Sequence, residues 1–115
     1  MSLNRQQILD AHDVTLEAIK VPEWGGEVYV RGMTGDERDK FEAEVSDMRE
    51  KKTLSNIRAR VVVMTCFHAD GTPIFTQTDI EALGKKSAKP LGRIFNRVAK
   101  LSGLGEKDIE ELTKN

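Results

Sequence analysis

The sequence predicts an α+β fold, with an N-terminal β-hairpin packed on a mostly helical body. Two observations carry that prediction. Two short segments of alternating apolar and polar residues lie on either side of Gly25-Gly26, the pattern of a hairpin. After Met33 the apolar residues recur at helical spacing in three successive segments. The expected organisation is a single domain over 1–115, with the hairpin at about 13–33, the helical body at about 34–113, and room for mobile termini.

Each element has its own reason. Asn4–Ala11 suits a short helix, anchored only by Ile8 and Leu9. Asp13–Lys20 alternates, with Val14, Leu16 and Ala18 on one side and Thr15 and Glu17 on the other. Pro22 ends that strand and Gly25-Gly26 supply the freedom of a turn. Glu27–Met33 alternates again, Val28 and Val30 against Tyr29 and Arg31. A lone hairpin is marginal in water and must lie on something. Thr34-Gly35-Asp36-Glu37 fits a capping box, in which hydroxyl and carboxylate each satisfy a free backbone N–H. Phe41, Val45 and Met48 then form one narrow apolar stripe, and the helix should fray near Glu50-Lys51-Lys52.

The next segment is ambiguous. Leu54, Ile57, Val61, Met64 and Phe67 keep a helical period, while Val61-Val62-Val63 favours strand. Length decides for helix over Ser55–His68, central and apolar on most sides. Asp70-Gly71 is a strong turn, and Pro73 to Phe75 leaves it extended. Thr78-Asp79-Ile80-Glu81 repeats the capping pattern and opens a short helix that Gly84 ends. Ser87 caps a helix to about Ser102, with Pro90 in its first turn, where a missing N–H costs little. Gly103 and Gly105 break it, and Glu106–Thr113 forms a last helix with Ile109 and Leu112 inward.

Composition bounds the function. Charged residues make up 32% against 38% hydrophobic and 5% aromatic, which gives a thin core and a solvated surface. A formal net charge of −1 argues against wholesale nucleic-acid or membrane binding. No apolar run approaches a membrane span. The opening MSLNRQQILDAH lacks the pattern of a secretion signal. A single cysteine, Cys66, forms no disulfide framework, so the expected compartment is the reducing cytoplasm.

Enzyme chemistry fails by inventory, and the sequence implies neither cofactor nor metal. His12 and His68 are the two histidines, and two imidazoles without nearby cysteines fall short of a zinc site. Cys66 and His68 would point roughly 200° apart on a helix, so they make a poor nucleophile pair. The glycines form neither a phosphate loop nor a dinucleotide fingerprint.

Binding residues are easier to nominate. On a helical wheel, Lys86, Lys89, Arg93, Arg97 and Lys100 gather within roughly 80°, opposite Leu91, Ile94, Phe95, Val98 and Leu101. With the short helix before it, the segment 87–101 has the outline of a helix-turn-helix, so a small DNA-binding regulator is the alternative reading. Against it stand the near-neutral charge and the lack of a base-reading set in Ser87-Ala88-Lys89-Pro90. A solvated basic face, or a docking face for an acidic protein, accounts better for the stripe. Trp24 either folds back to cap the core or stands out as an anchor for a partner, and Tyr29 is a second candidate binding residue on the hairpin.

The ordered pieces VPEWGGEVYVRGMTGDERDKFEAEV, IRARVVVMTCF with the turn HADGTPIF, and TDIEALGKKSAKPLGRIFNRVAKLSGLG carry a resemblance. Their collinearity, from about Val14 to Gly105, resembles the tail assembly chaperones of long-tailed bacteriophages and prophages. The resemblance implies a non-enzymatic factor in the cytoplasm of the bacterial host, absent from the mature virion. It implies the tape measure protein and the tail tube protein as partners, and in many such systems a frameshifted longer product. The codons of Lys114-Asn115 would suit a slippery site for that event. Such a chaperone needs a small apolar patch, which leads to an expected homo-oligomer with contacts from Val28, Val30 and Met33, or from Ile109 and Leu112.

Overall fold

A computed structural model describes residues 1–114; Asn115 lies outside the described residues. The elements run α1 (Arg5–Asp10), β1 (Glu17–Val21), β2 (Gly26–Val30), α2 (Gly35–Glu50), α3 (Ile57–Thr65), β3 (Cys66–Phe67), α4 (Ile80–Gly84), α5 (Ala88–Leu101) and α6 (Glu106–Thr113). The α+β class read from the sequence is the one observed. The strands form one antiparallel sheet in the order β1-β2-β3.

The hairpin turns through a 3-10 segment at Pro22–Trp24, closed by Gly25 at φ 77°, a left-handed conformation that glycine adopts without a side-chain clash. Ile19 pairs with Val28 and Glu17 with Val30, so these four project from one face. Val30 is fully buried, Val28 and Ile19 pack on the core, and Val21 is buried beside them. The alternation expected in the first strand is therefore right in period and wrong in phase. Val14 and Leu16 are exposed, Ala18 faces outward, and Ile19 and Val21 make the core contacts. Pairing to β2 sets the phase, because a one-residue slip exchanges the two faces of a strand.

Helix α2 begins as expected. The Thr34 N–H donates to Glu37 Oε1 (2.9 Å), and the Glu37 N–H donates to Thr34 Oγ1 (3.4 Å). Phe41 and Val45 are buried along one stripe, with Met48 partly so. The helix stops at Glu50, and Lys52 follows at φ 58°.

The central helix is shorter than its apolar period suggests. Six of the nine residues in α3 are buried, yet the chain leaves the helix at Cys66, where Cys66 and Phe67 pair with Val30 and Tyr29. A third strand was not expected here. Its cause is the open edge of β2, which takes the β-favouring end of the run after Val61-Val62-Val63. Thr65, buried and polar, donates its Oγ1 to the Val61 carbonyl (2.6 Å).

The turn at Gly71 (φ 88°) brings Pro73 back to bridge Phe67. The capping residue before α4 is also displaced from expectation. Asp79 reaches back to the Thr76 N–H (2.9 Å), so the box opens at Thr76 rather than Thr78 and a 3-10 turn precedes the helix. In α5, Leu91, Ile94, Phe95 and Val98 are buried against α3, each contributing about 1.5–3 kcal/mol by burial. Leu101, expected on that face, is 39% exposed at the end of the helix. Gly32 lies where a Cβ would meet the Leu101 carbonyl oxygen at 2.6 Å. Beside it the Met33 N–H donates to Ser102 Oγ (2.8 Å), which itself donates to the Val98 carbonyl (2.7 Å). These contacts tie the end of the hairpin to the end of α5.

Candidate functional site

The basic stripe is interrupted by the hairpin. Arg93 forks Glu23 through two bonds of 2.7 Å. One turn later Arg97 forks Glu17 at 2.5 and 2.7 Å. Both pairs are planar guanidinium–carboxylate contacts, the strongest geometry for a charged hydrogen bond. Bonding from Arg93 holds the Glu23 carboxyl well down, to about 2, and bonding from Arg97 lowers that of Glu17. Nothing local in the sequence links these residues, which stand 70 and 80 positions apart. The only signal was two arginines at i and i+4, the spacing that aligns them on one face.

The nominated residues thus separate into groups. Arg93 and Arg97 clamp the hairpin to α5. Lys86, Lys89 and Lys100 are exposed and make no ion pair among the described residues. Trp24 is half-buried and packs on the core, next to the Glu23–Arg93 fork. Tyr29 belongs to the opposite face of the sheet, in register with Ala18 and Phe67. There the Arg31 guanidinium sits 4.8 Å from the centre of the Phe67 ring and forks Glu37 at 2.7 and 3.0 Å.

The helix-turn-helix alternative loses its physical basis. Two of its five cations are matched by carboxylates, and the start of α5, which would enter a groove, buries Pro90 and Leu91. The surfaces expected for self-association are also occupied. Val30, Met33 and Leu112 are buried within the chain, and Val28 and Ile109 pack on its core.

Cys66 is fully buried, and burial pushes its thiol up to about 12, so it stays protonated at neutral pH. His12 and His68 are exposed. Among the described residues no three His, Cys, Asp or Glu side chains gather as a metal site, and no helix is long and apolar enough to cross a membrane.

Sequence reasoning missed the apolar surface. Of the seven large hydrophobic residues exposed among the described residues, six are Met1, Leu3, Ile8, Leu9, Val14 and Leu16, all in the first sixteen positions. The seventh, Leu101, lines a groove of about 310 Å³ together with Val14, Thr15, Gly32 and Met33. Helix α1 buries none of its residues. The signal was present in the adjacent spacing of Ile8 and Leu9, which points them roughly 100° apart and gives no single docking stripe.

Three comparisons with known proteins bear on this arrangement. No curated protein sequence matches the chain. The solved structure of the bacteriophage HK97 tail assembly chaperone superposes with a TM-score of 0.62. The match covers 88% of this chain and 95% of that one at 16% identity, a likeness of fold. The sequence pattern of the phage tail assembly chaperones matches residues 4–115, and the chain belongs to that family.

Proposed function

We propose that this chain is a non-enzymatic chaperone that binds the phage tape measure protein and assists assembly of the tail tube. It acts in the cytoplasm of the bacterial host and is left out of the mature virion. The observation that supports the reading is the concentration of exposed apolar side chains on residues 1–16, continued by Leu101 across the groove. Contiguous exposed apolar surface marks interaction sites. Helix α1 buries none of its apolar side chains, which leaves them available for an apolar helical client.

Co-expression with the tape measure protein of the same phage tests this. The wild-type chain is expected to raise the soluble fraction of that client several-fold. The variant Ile8→Asp/Leu9→Asp/Leu16→Asp, altered only at exposed positions, is expected to lose the effect while keeping its own helical spectrum. An equally insoluble client with and without the wild-type chain, at matched expression, overturns the proposal.

A further inference from the structure

Helix α6 is held by very little of its own sequence. Of its eight residues only Leu112 is buried, with Ile109 and Thr113 half-buried. Leu112 and Ile109 pack on the core that holds Val45 of α2. Glu106, Lys107, Asp108, Glu110 and Glu111 are exposed, and none of them pairs with a charge of the body among the described residues.

The remaining grip is a guanidinium on backbone. Arg49 of α2 donates from Nη2 to the carbonyls of Glu111 and Lys114, the latter at 2.9 Å. The last carbonyls of any helix lack partners within it, and a cation there also meets the negative end of the helix dipole. Arg49 therefore reads what every helix end offers, while the apolar seat beneath reads two apolar side chains on one face. A cleft of about 200 Å³ stays open beside Leu112, between Glu42, Ser46 and Arg49 on α2 and Asp108 and Glu111 on α6, so α6 does not fill its seat. The tether is equally simple. Leu104 is buried and its N–H donates to the Ala99 carbonyl (2.9 Å), which pins the chain up to that point. Gly105 follows as the cap of α6, and a swing there frees the helix while α2, α3 and α5 stay in place.

We infer that the α2 face around Val45 and Arg49 is a docking seat for an amphipathic helix of a partner, and that α6 is the chain's own stand-in, covering the seat until such a helix displaces it. The occupant is an amphipathic helix because one is already seated there. Its sequence is free outside the two anchors because no charged side chain of α6 takes part in the contact. Helix-in-groove recognition of this kind works through apolar anchors one turn apart. A tethered α6 competes at high effective concentration, so an outside helix gains the seat only by bringing more apolar contact than α6 does. That the partner is a helical client is taken from the function proposed above; the seat itself is tested with peptides and can fail while that function stands.

The amide NMR shifts of Glu42, Val45, Ser46 and Arg49 in the full chain provide the test. Ile109→Asp/Leu112→Asp is expected to vacate the seat, and an acetylated peptide of residues 105–114 to return those shifts toward their wild-type positions. That peptide should bind the vacated chain at least about tenfold more tightly than the wild type, whose own α6 competes. A second peptide, with every charged residue replaced by alanine or glutamine and Ile109 and Leu112 kept, should bind within about threefold of the first, a difference under about 1 kcal/mol. Arg49→Ala in the vacated chain should weaken both peptides alike. If circular dichroism shows the vacated chain unfolded, Leu112→Ala takes its place, with a gain of about threefold over wild type expected from the looser competitor. Shifts that do not move, equal affinity for wild type and vacated chain, a neutral peptide that does not bind, or seat shifts that follow the concentration of the chain itself, as a second copy in the seat would produce, each overturn the inference.

Discussion

The first and last helices of this chain look alike in sequence and behave differently. Helix α1 has six residues and two apolar ones, Ile8 and Leu9; α6 has eight and Ile109 and Leu112. Each begins with a polar side chain three residues on that reaches back to the cap: Gln7 Oε1 accepts from the Asn4 N–H (3.0 Å), and Asp108 from that of Gly105 (3.0 Å). Yet α1 lies fully exposed, while α6 buries Leu112, half-buries Ile109 and is gripped by Arg49. Capping therefore decides where a helix starts, not whether it docks. Docking needs apolar residues on one side, which i and i+3 provide and i and i+1 do not.

The body sets the scale for breaking that comparison. Phe95→Ala in α5 empties a site that is 1% exposed, and urea unfolding should register a loss of about 3–5 kcal/mol. If α6 is part of the same cooperative unit, Leu112→Ala should cost about 2–4 kcal/mol in the same assay. A loss confined to local amide exchange in residues 106–113, with the global midpoint unmoved, would place α6 with α1 instead.

Smaller changes sharpen the contrast. Asn4→Ala removes an acceptor that holds the Gln7 N–H at 2.9 Å and should weaken α1 by about 1 kcal/mol. Because α1 buries nothing, carbon chemical shifts in Arg5–Asp10 should move toward coil while the global unfolding midpoint stays put. Ile8→Ala and Leu9→Ala should each change global stability by less than about 0.5 kcal/mol, and a midpoint that falls further would mean the arm docks on its own chain.

Acid gives the smallest effect, since exposed ion pairs contribute little. Glu17 and Glu23 have carboxyls held below their ordinary value in the folded chain by Arg97 and Arg93. Their contribution is present above the unfolded value near 4.5 and is lost as pH falls through their lowered folded values, which for Glu23 lies at about 2. Amide exchange in β1 should accelerate across that window. The Arg49 grip on α6 uses backbone carbonyls, which do not titrate, so protection there should follow only the global stability.

Much of this architecture was legible in the residues. Thr34 and Glu37, Gly25, Asp70-Gly71 and Ser87 marked boundaries because their chemistry acts within four positions. What escaped was set by distant partners. The phase of β1 follows from its register with β2, and β3 exists because Cys66 and Phe67 meet an open strand edge. The candidate site was legible only in part for the same reason. The wheel found the arginines of α5, but their carboxylates lie in another element. Val14 and Leu16 were placed in the first strand because they satisfy its alternation, and the structure leaves them exposed before that strand begins.

The single cysteine gives the molecule a built-in clock. Cys66 has no exposed surface and a thiol that burial keeps protonated. An alkylating reagent reaches it only when β3 parts from β2 and the core beneath opens. When closing outpaces alkylation, the ratio of the observed rate to that of a free thiol gives the equilibrium constant for that opening. Mass spectrometry can read that rate in the crowded interior of a cell, where the binding of a client would register as slower labelling of a residue it never touches.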